Sequence, residues 1–158
     1  MKAMLCILAW LALACTVEAQ TERWVYRYNG TLNDADTARS IAVGLDGNLY
    51  VAGSSLEDQV GHDFTVVSLT PEGGEQWIFR YNPENGHDVA RAIVVGADGN
   101  LYAAGASYTA SFGLDFTVLS VSPLGTLRWV YTYDGLSHQD DIANSIVMGR
   151  DGNAYGAG

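Results

Sequence analysis

The feature that most limits what this chain can fold into is an internal repeat of about 52 residues. Arg23-Trp24-Val25-Tyr26-Arg27-Tyr28 returns as Gln76-Trp77-Ile78-Phe79-Arg80-Tyr81 and as Arg128-Trp129-Val130-Tyr131-Thr132-Tyr133. Asp46-Gly47-Asn48-Leu49-Tyr50 returns as Asp98-Gly99-Asn100-Leu101-Tyr102 and as Asp151-Gly152-Asn153-Ala154-Tyr155. Asp63-Phe64-Thr65-Val66 returns as Asp115-Phe116-Thr117-Val118, and residues 36–41 return as 88–93 and 141–146. Several motifs sharing one period mean stacked or radially arranged supersecondary units.

Each unit reads as four short strands. In the first unit they are expected over 38–43, 49–53, 64–69 and 76–81, with a Gly-x-Asp-Gly-Asn turn at 44–48 and a Thr-Pro-Glu-Gly-Gly turn at 70–74. Asp-Gly between apolar runs is a hairpin signal, because glycine takes positive φ without steric cost. Residues 54–62 read as a longer loop. Four strands in about 50 residues, with no helical periodicity, is the content of one propeller blade. Side-chain size agrees. The first two strands carry Ala42, Ala52, Gly53, Ala92, Ala104 and Gly105, while the fourth carries the alternating ladder Trp77, Phe79, Tyr81. Small near a hub and large at a rim fills a wedge without voids. The expected fold is therefore all-β, β-propeller blades of four antiparallel strands in an incomplete ring, with Trp24, Trp77 and Trp129 packing the blades.

The expected blades are residues 38–82, 90–134 and a partial 143–158, preceded by an outer strand at 23–29. That is about 2.7 units, whereas propellers close with about 4 to 8 blades. The expectation is a piece of a longer ring, in which 23–29 would complete the last blade. Open blade faces invite self-association, and closure by oligomerisation is the alternative.

Residues 1–19 read as a secretory leader: Met1 and Lys2, an apolar run over 4–14, then the small residues Val17 and Ala19 around Glu18. The run is too short for a membrane span of about 20 residues. A lipid anchor on Cys15 is a weaker reading, since the large aliphatic residue usual three places earlier is missing. Cleavage after Ala19 removes both cysteines, Cys6 and Cys15, so the remainder has no disulfide or thiol chemistry. No other stretch is apolar enough to span a membrane, and a secreted or envelope location follows. With 8 Lys+Arg against 18 Asp+Glu and a net charge of -10, the chain also lacks the basic clusters that phosphate contacts need, which excludes nucleic acid.

Residues 90–105, followed by Asp115-Phe116-Thr117-Val118 and Gly125-Thr126-Leu127-Arg128-Trp129, resemble the bacterial seven-bladed beta-propeller repeat family. The resemblance covers nearly all of residues 23–158. It implies a secreted or cell-surface propeller, often part of a larger envelope protein, and brings no catalytic residues with it. This chain carries fewer repeats than such a ring.

Candidate chemistry is sparse. Asp46, Asp98 and Asp151 suit calcium as carboxylates, but each turn supplies one acid, and Asp and Asn in hairpins bond their own backbone. Asp36, Asp88 and Asp141 precede the first strand of each unit and are expected to cap local amides. Asp140 beside Asp141 doubles the charge and is the weak metal candidate. His62, His87 and His138 lie near Asp63, Asp88 and Asp140, which is half of a triad, but no Gly-x-Ser-x-Gly elbow supplies a nucleophile. They are expected as solvated loop residues, and no His/Cys set has zinc spacing. Gly73 to Trp77 and Gly125 to Trp129 resemble the tryptophan-docking repeat of quinone-dependent dehydrogenases, without that family's cofactor ligands. Spaced Trp and Tyr also suit sugar stacking, although the wedge needs them for packing. The expected role is a binding or scaffolding module for a protein or carbohydrate, with no cofactor and no catalysis of its own. The alternative is part of a propeller hydrolase, lyase or quinoprotein whose site lies in other blades.

Overall fold

The computed structural model describes residues 21–30, 32–58, 61–109 and 113–158. The expected leader at 1–19 lies outside them. The described residues contain ten strands and no helix: β1 (Thr37–Val43), β2 (Leu49–Asp58), β3 (Gly61–Leu69), β4 (Glu75–Tyr81), β5 (Val89–Val95), β6 (Leu101–Tyr108), β7 (Leu114–Val121), β8 (Leu127–Tyr133), β9 (Ser145–Met148) and β10 (Ala154–Ala157). They form two four-stranded antiparallel sheets, ordered β1-β2-β3-β4 and β5-β6-β7-β8, and a two-stranded sheet of β9 and β10. These are two propeller blades and the inner half of a third, and among the described residues the ring is open.

The repeat extends to irregularities of register. The β1–β2 ladder shifts between Ala38 and Ser40, and β5–β6 shifts between Ala90 and Ala92. The bulge brings backbone against the facing strand at Gly53 and Gly105. A Cβ there would sit 1.8 Å from the Thr37 carbonyl oxygen or 1.9 Å from that of Val89, so only glycine fits.

Two differences from the sequence expectation concern strand length. Residues 54–58 and 61–62, expected as loop, continue β2 and β3, with Ser54 opposite Phe64, Ser55 opposite Asp63 and Leu56 opposite His62. The polar run stays in the sheet because its hydroxyls pair inside: Ser55 Oγ meets Thr65 Oγ1 at 2.7 Å, as Ser107 meets Thr117 at 2.6 Å. Residues 23–29, expected as a strand, carry no strand assignment. Side chains hold them on the first blade: Trp24 Nε1 donates to the Pro71 carbonyl (3.0 Å), Tyr26 hydroxyl to Glu75 (2.5 Å), and Arg80 reaches the Tyr28 hydroxyl and covers its ring.

The blades stack face to face. Tyr50, Ala52, Phe64 and Val66 of the first are buried against Ala90, Ile93, Leu101, Ala103, Leu119 and Val121 of the second. Tyr102, Ala104 and Val118 then pack on Ala143 and Ile146. Backbones approach at the first strands, β1 against β5 and β5 against β9, where the residues are small. At the rim Trp77 spans the gap. Its indole N–H donates to the Pro123 carbonyl (3.0 Å) and its ring lies on Gly125, as Trp24 lies on Gly73. Both glycines have positive φ, 87° and 81°, so a side chain there would be strained as well as blocked.

Candidate functional site

The acidic residues fall into two sets at opposite ends of the strands. Asp46, Asp98 and Asp151 sit in the hairpins between first and second strands. Each accepts the amide of the Asn two residues on (3.1 Å), that Asn's side-chain N–H (2.7 to 2.8 Å) and the hydroxyl of the Tyr four residues on (2.7 to 2.8 Å). Both carboxylate oxygens are occupied within the turn. Asn100 and Tyr102 hold Asp98 below the ordinary carboxylate range, and Tyr155 and Asn153 do so for Asp151. For Asp46, partial burial pulls the other way, and the bonds from Tyr50 and Asn48 prevail. Burial and the bond to Asp46 push the Tyr50 phenol up to about 12.

The second set lies where a fourth strand crosses to the next first strand. Asp36 Oδ2 accepts the Gly30 amide (3.0 Å) and its Oδ1 the Leu56 amide (3.2 Å). Asp141 Oδ2 accepts the Gly135 amide (2.6 Å). Asp140 Oδ1 accepts the Leu114 amide (3.0 Å). The metal candidates Asp140 and Asp141 thus each bind backbone, and among the described residues no three His, Cys, Asp or Glu side chains form a group that could hold a metal ion.

Asp88 stands apart. Its Oδ1 accepts the Tyr108 amide (2.9 Å), but Oδ2 is buried with no hydrogen-bond partner, and the residue is 1% exposed. The residue six places before the aspartate, Gly30 for Asp36 and Gly135 for Asp141, is Asn82 for Asp88. Burial, with the charge of Asp63 behind it, pushes the Asp88 carboxyl up to about 7 against the pull of the Tyr108 amide. Asp63 is itself buried and accepts the Asn82 side-chain N–H at 2.7 Å.

Two of the three histidines join this junction. His62 lies in β3, half-buried, with Nδ1 unpartnered, which corrects the expectation of a solvated loop residue. Its ring is 5.6 Å from that of His87, whose Nδ1 faces the His62 amide at 3.5 Å. In the next junction Leu114 and Asp140 occupy those two places. His138 is exposed and bonds Asp134 at 2.6 Å. Sequence spacing set His62 and His87 in separate Gly-His-Asp runs, and the blade register brings them together.

Two hollows border the open sheet faces. One, of about 890 Å³, lies between Trp24, Tyr26 and Tyr28 and the outward residues Ile41, Val51 and Val67. The other, of about 340 Å³, is lined by Phe116, Tyr131, Tyr133 and Asp141. The rim ladder also differs between blades: Trp77, Phe79 and Tyr81 pack against the core, whereas Trp129, Tyr131 and Tyr133 are exposed. No helix among the described residues is long and apolar enough to cross a membrane.

No protein-family model matches the chain, and no curated protein matches it. Among solved structures, virginiamycin B lyase from Staphylococcus aureus is similar at 14% identity and a TM-score of 0.46, over 75% of this chain and 33% of that one. A protein of unknown function from Bacteroides caccae is similar at 15% identity and a TM-score of 0.45, over 75% of this chain and 37% of that one. The chain therefore spans well under half the length of either.

Proposed function

We propose that the chain is a secreted or envelope β-propeller repeat module that binds or scaffolds a protein or carbohydrate, with no catalytic centre of its own. One observation carries the reading: equivalent acids in successive units do the same structural work. Asp46, Asp98 and Asp151 are consumed by their own turns, and Asp36 and Asp141 by backbone amides. Chemistry at one point would require one unit to depart from its siblings with a reachable acid or nucleophile. The departing acid, Asp88, is 1% exposed, out of a substrate's reach. Export is supported by the charged, apolar and small-residue segments of residues 1–19.

The test is a paired assay on the full chain. Saturable binding to an array of immobilised oligosaccharides, with no turnover of a panel of chromogenic esters and glycosides, is the expected result. Turnover that disappears in Asp88→Asn or His62→Ala would replace this reading with an enzyme. For export, expression with the native leader is expected to yield a chain beginning at Gln20.

A further inference from the structure

The blade junctions offer an internal control. Before the first blade, both Asp36 oxygens take backbone amides. At the first-to-second junction the corresponding Asp88 has only Oδ1 bonded to an amide, and the connection is one residue shorter: seven positions separate Tyr81 from Asp88, against eight from Tyr28 to Asp36 and from Tyr133 to Asp141. An ionised carboxylate buried with one oxygen unpartnered is costly, and the neutral acid avoids that cost. The side-chain charge that acts on Asp88 is a like one, Asp63. β3 contributes His62 and the acid Asp63, β4 contributes Tyr81, the connection contributes Glu84 and His87, and β6 contributes Tyr108. Arg91, farther along β5, turns away to Asn144 (2.5 Å). Asp88 and Asp63 act on one another as like charges, and Asp88 and Glu84 both push the Tyr81 phenol up, after burial.

The same junction ties the blades together through the backbone. The Asp88 amide donates to the His62 carbonyl at 2.6 Å, and the Tyr108 side chain lies on Gly86, where a Cβ would come within 2.3 Å of it. We propose that Asp88 is a proton-operated catch between the first and second blades: neutral, it lets β3, β5 and β6 close over it; ionised, it loosens them. The inference is independent of whether the module binds or catalyses.

The experiment is amide hydrogen exchange on the intact chain between pH 5 and pH 8, corrected for intrinsic rates. Opening read at the Tyr108 amide should rise with pH, by up to about tenfold per unit until Asp88 is ionised. The Leu56 amide, held by Asp36, should stay flat. Carboxyl carbon NMR on the unmodified protein should show Asp88 titrating near neutral pH, a readout that needs no variant to fold. Asp88→Asn should remove the rise at Tyr108 and leave Leu56 as it was. Identical pH profiles at Tyr108 and Leu56, or Asp88 titrating in the ordinary carboxylate range, would overturn the proposal.

Discussion

The connection before the first blade and the one between the first and second blades are built around the same aspartate and leave it differently satisfied. Asp36 spends both oxygens on backbone amides. Asp88 has one oxygen facing nothing, beside Asp63, so its charge opposes the joint. The two joints differ by one buried carboxylate oxygen left without a partner. A conserved-looking position in a repeat thus does not have one energetic meaning, because its partners lie elsewhere in the unit.

The largest expected effect contrasts the two aspartates directly. Asp36→Ala strips two amides of a charged acceptor and should cost about 2–3 kcal/mol in urea unfolding. Asp88→Asn should cost little at pH 5 and become neutral or stabilising at pH 8. Equal losses at pH 8 would break the comparison. The sign follows from linkage: a carboxyl raised to about 7 stabilises fully below the ordinary carboxylate range, and that contribution is lost as pH rises through about 7. Asp98 and Asp151, lowered by their turn bonds, behave oppositely, stabilising above the ordinary range and losing it as pH falls. The rim lock is common to both connections and should not discriminate. Trp24→Phe and Trp77→Phe each keep the ring on its glycine, lose one N–H bond, and should each cost about 1 kcal/mol in the same measurement. The smallest effect concerns the third connection, where His138 has φ 50°, as Asn33 and Asn85 have φ 53° in theirs. Asn tolerates that region better, so His138→Asn should raise thermal stability by about 0.5 kcal/mol.

Period, turn chemistry and the size gradient were legible in the sequence because each is local: Asp46 bonds Asn48 and Tyr50 within four residues. Strand extent was less so. Residues 54–62 are polar and read as loop, but Ser55 and Thr65 satisfy one another inside the sheet, a pairing that depends on cross-strand register. The meeting of His62 and His87 was not legible, since it depends on how one blade seats on the next. A faint signal for the Asp88 joint did exist in a connection one residue short, which has no meaning until the amide of Gly30 is seen to reach Asp36.

The indole of one unit plugging onto the glycine turn of its successor, Trp24 on Gly73 and Trp77 on Gly125, has an evolutionary corollary. Each of the two complete units carries both plug and socket (Gly73 with Trp77, Gly125 with Trp129), so gene duplication of a whole unit adds a member that already fits its neighbours. Ring size in such proteins can drift by recombination in whole steps, with no new surface to invent.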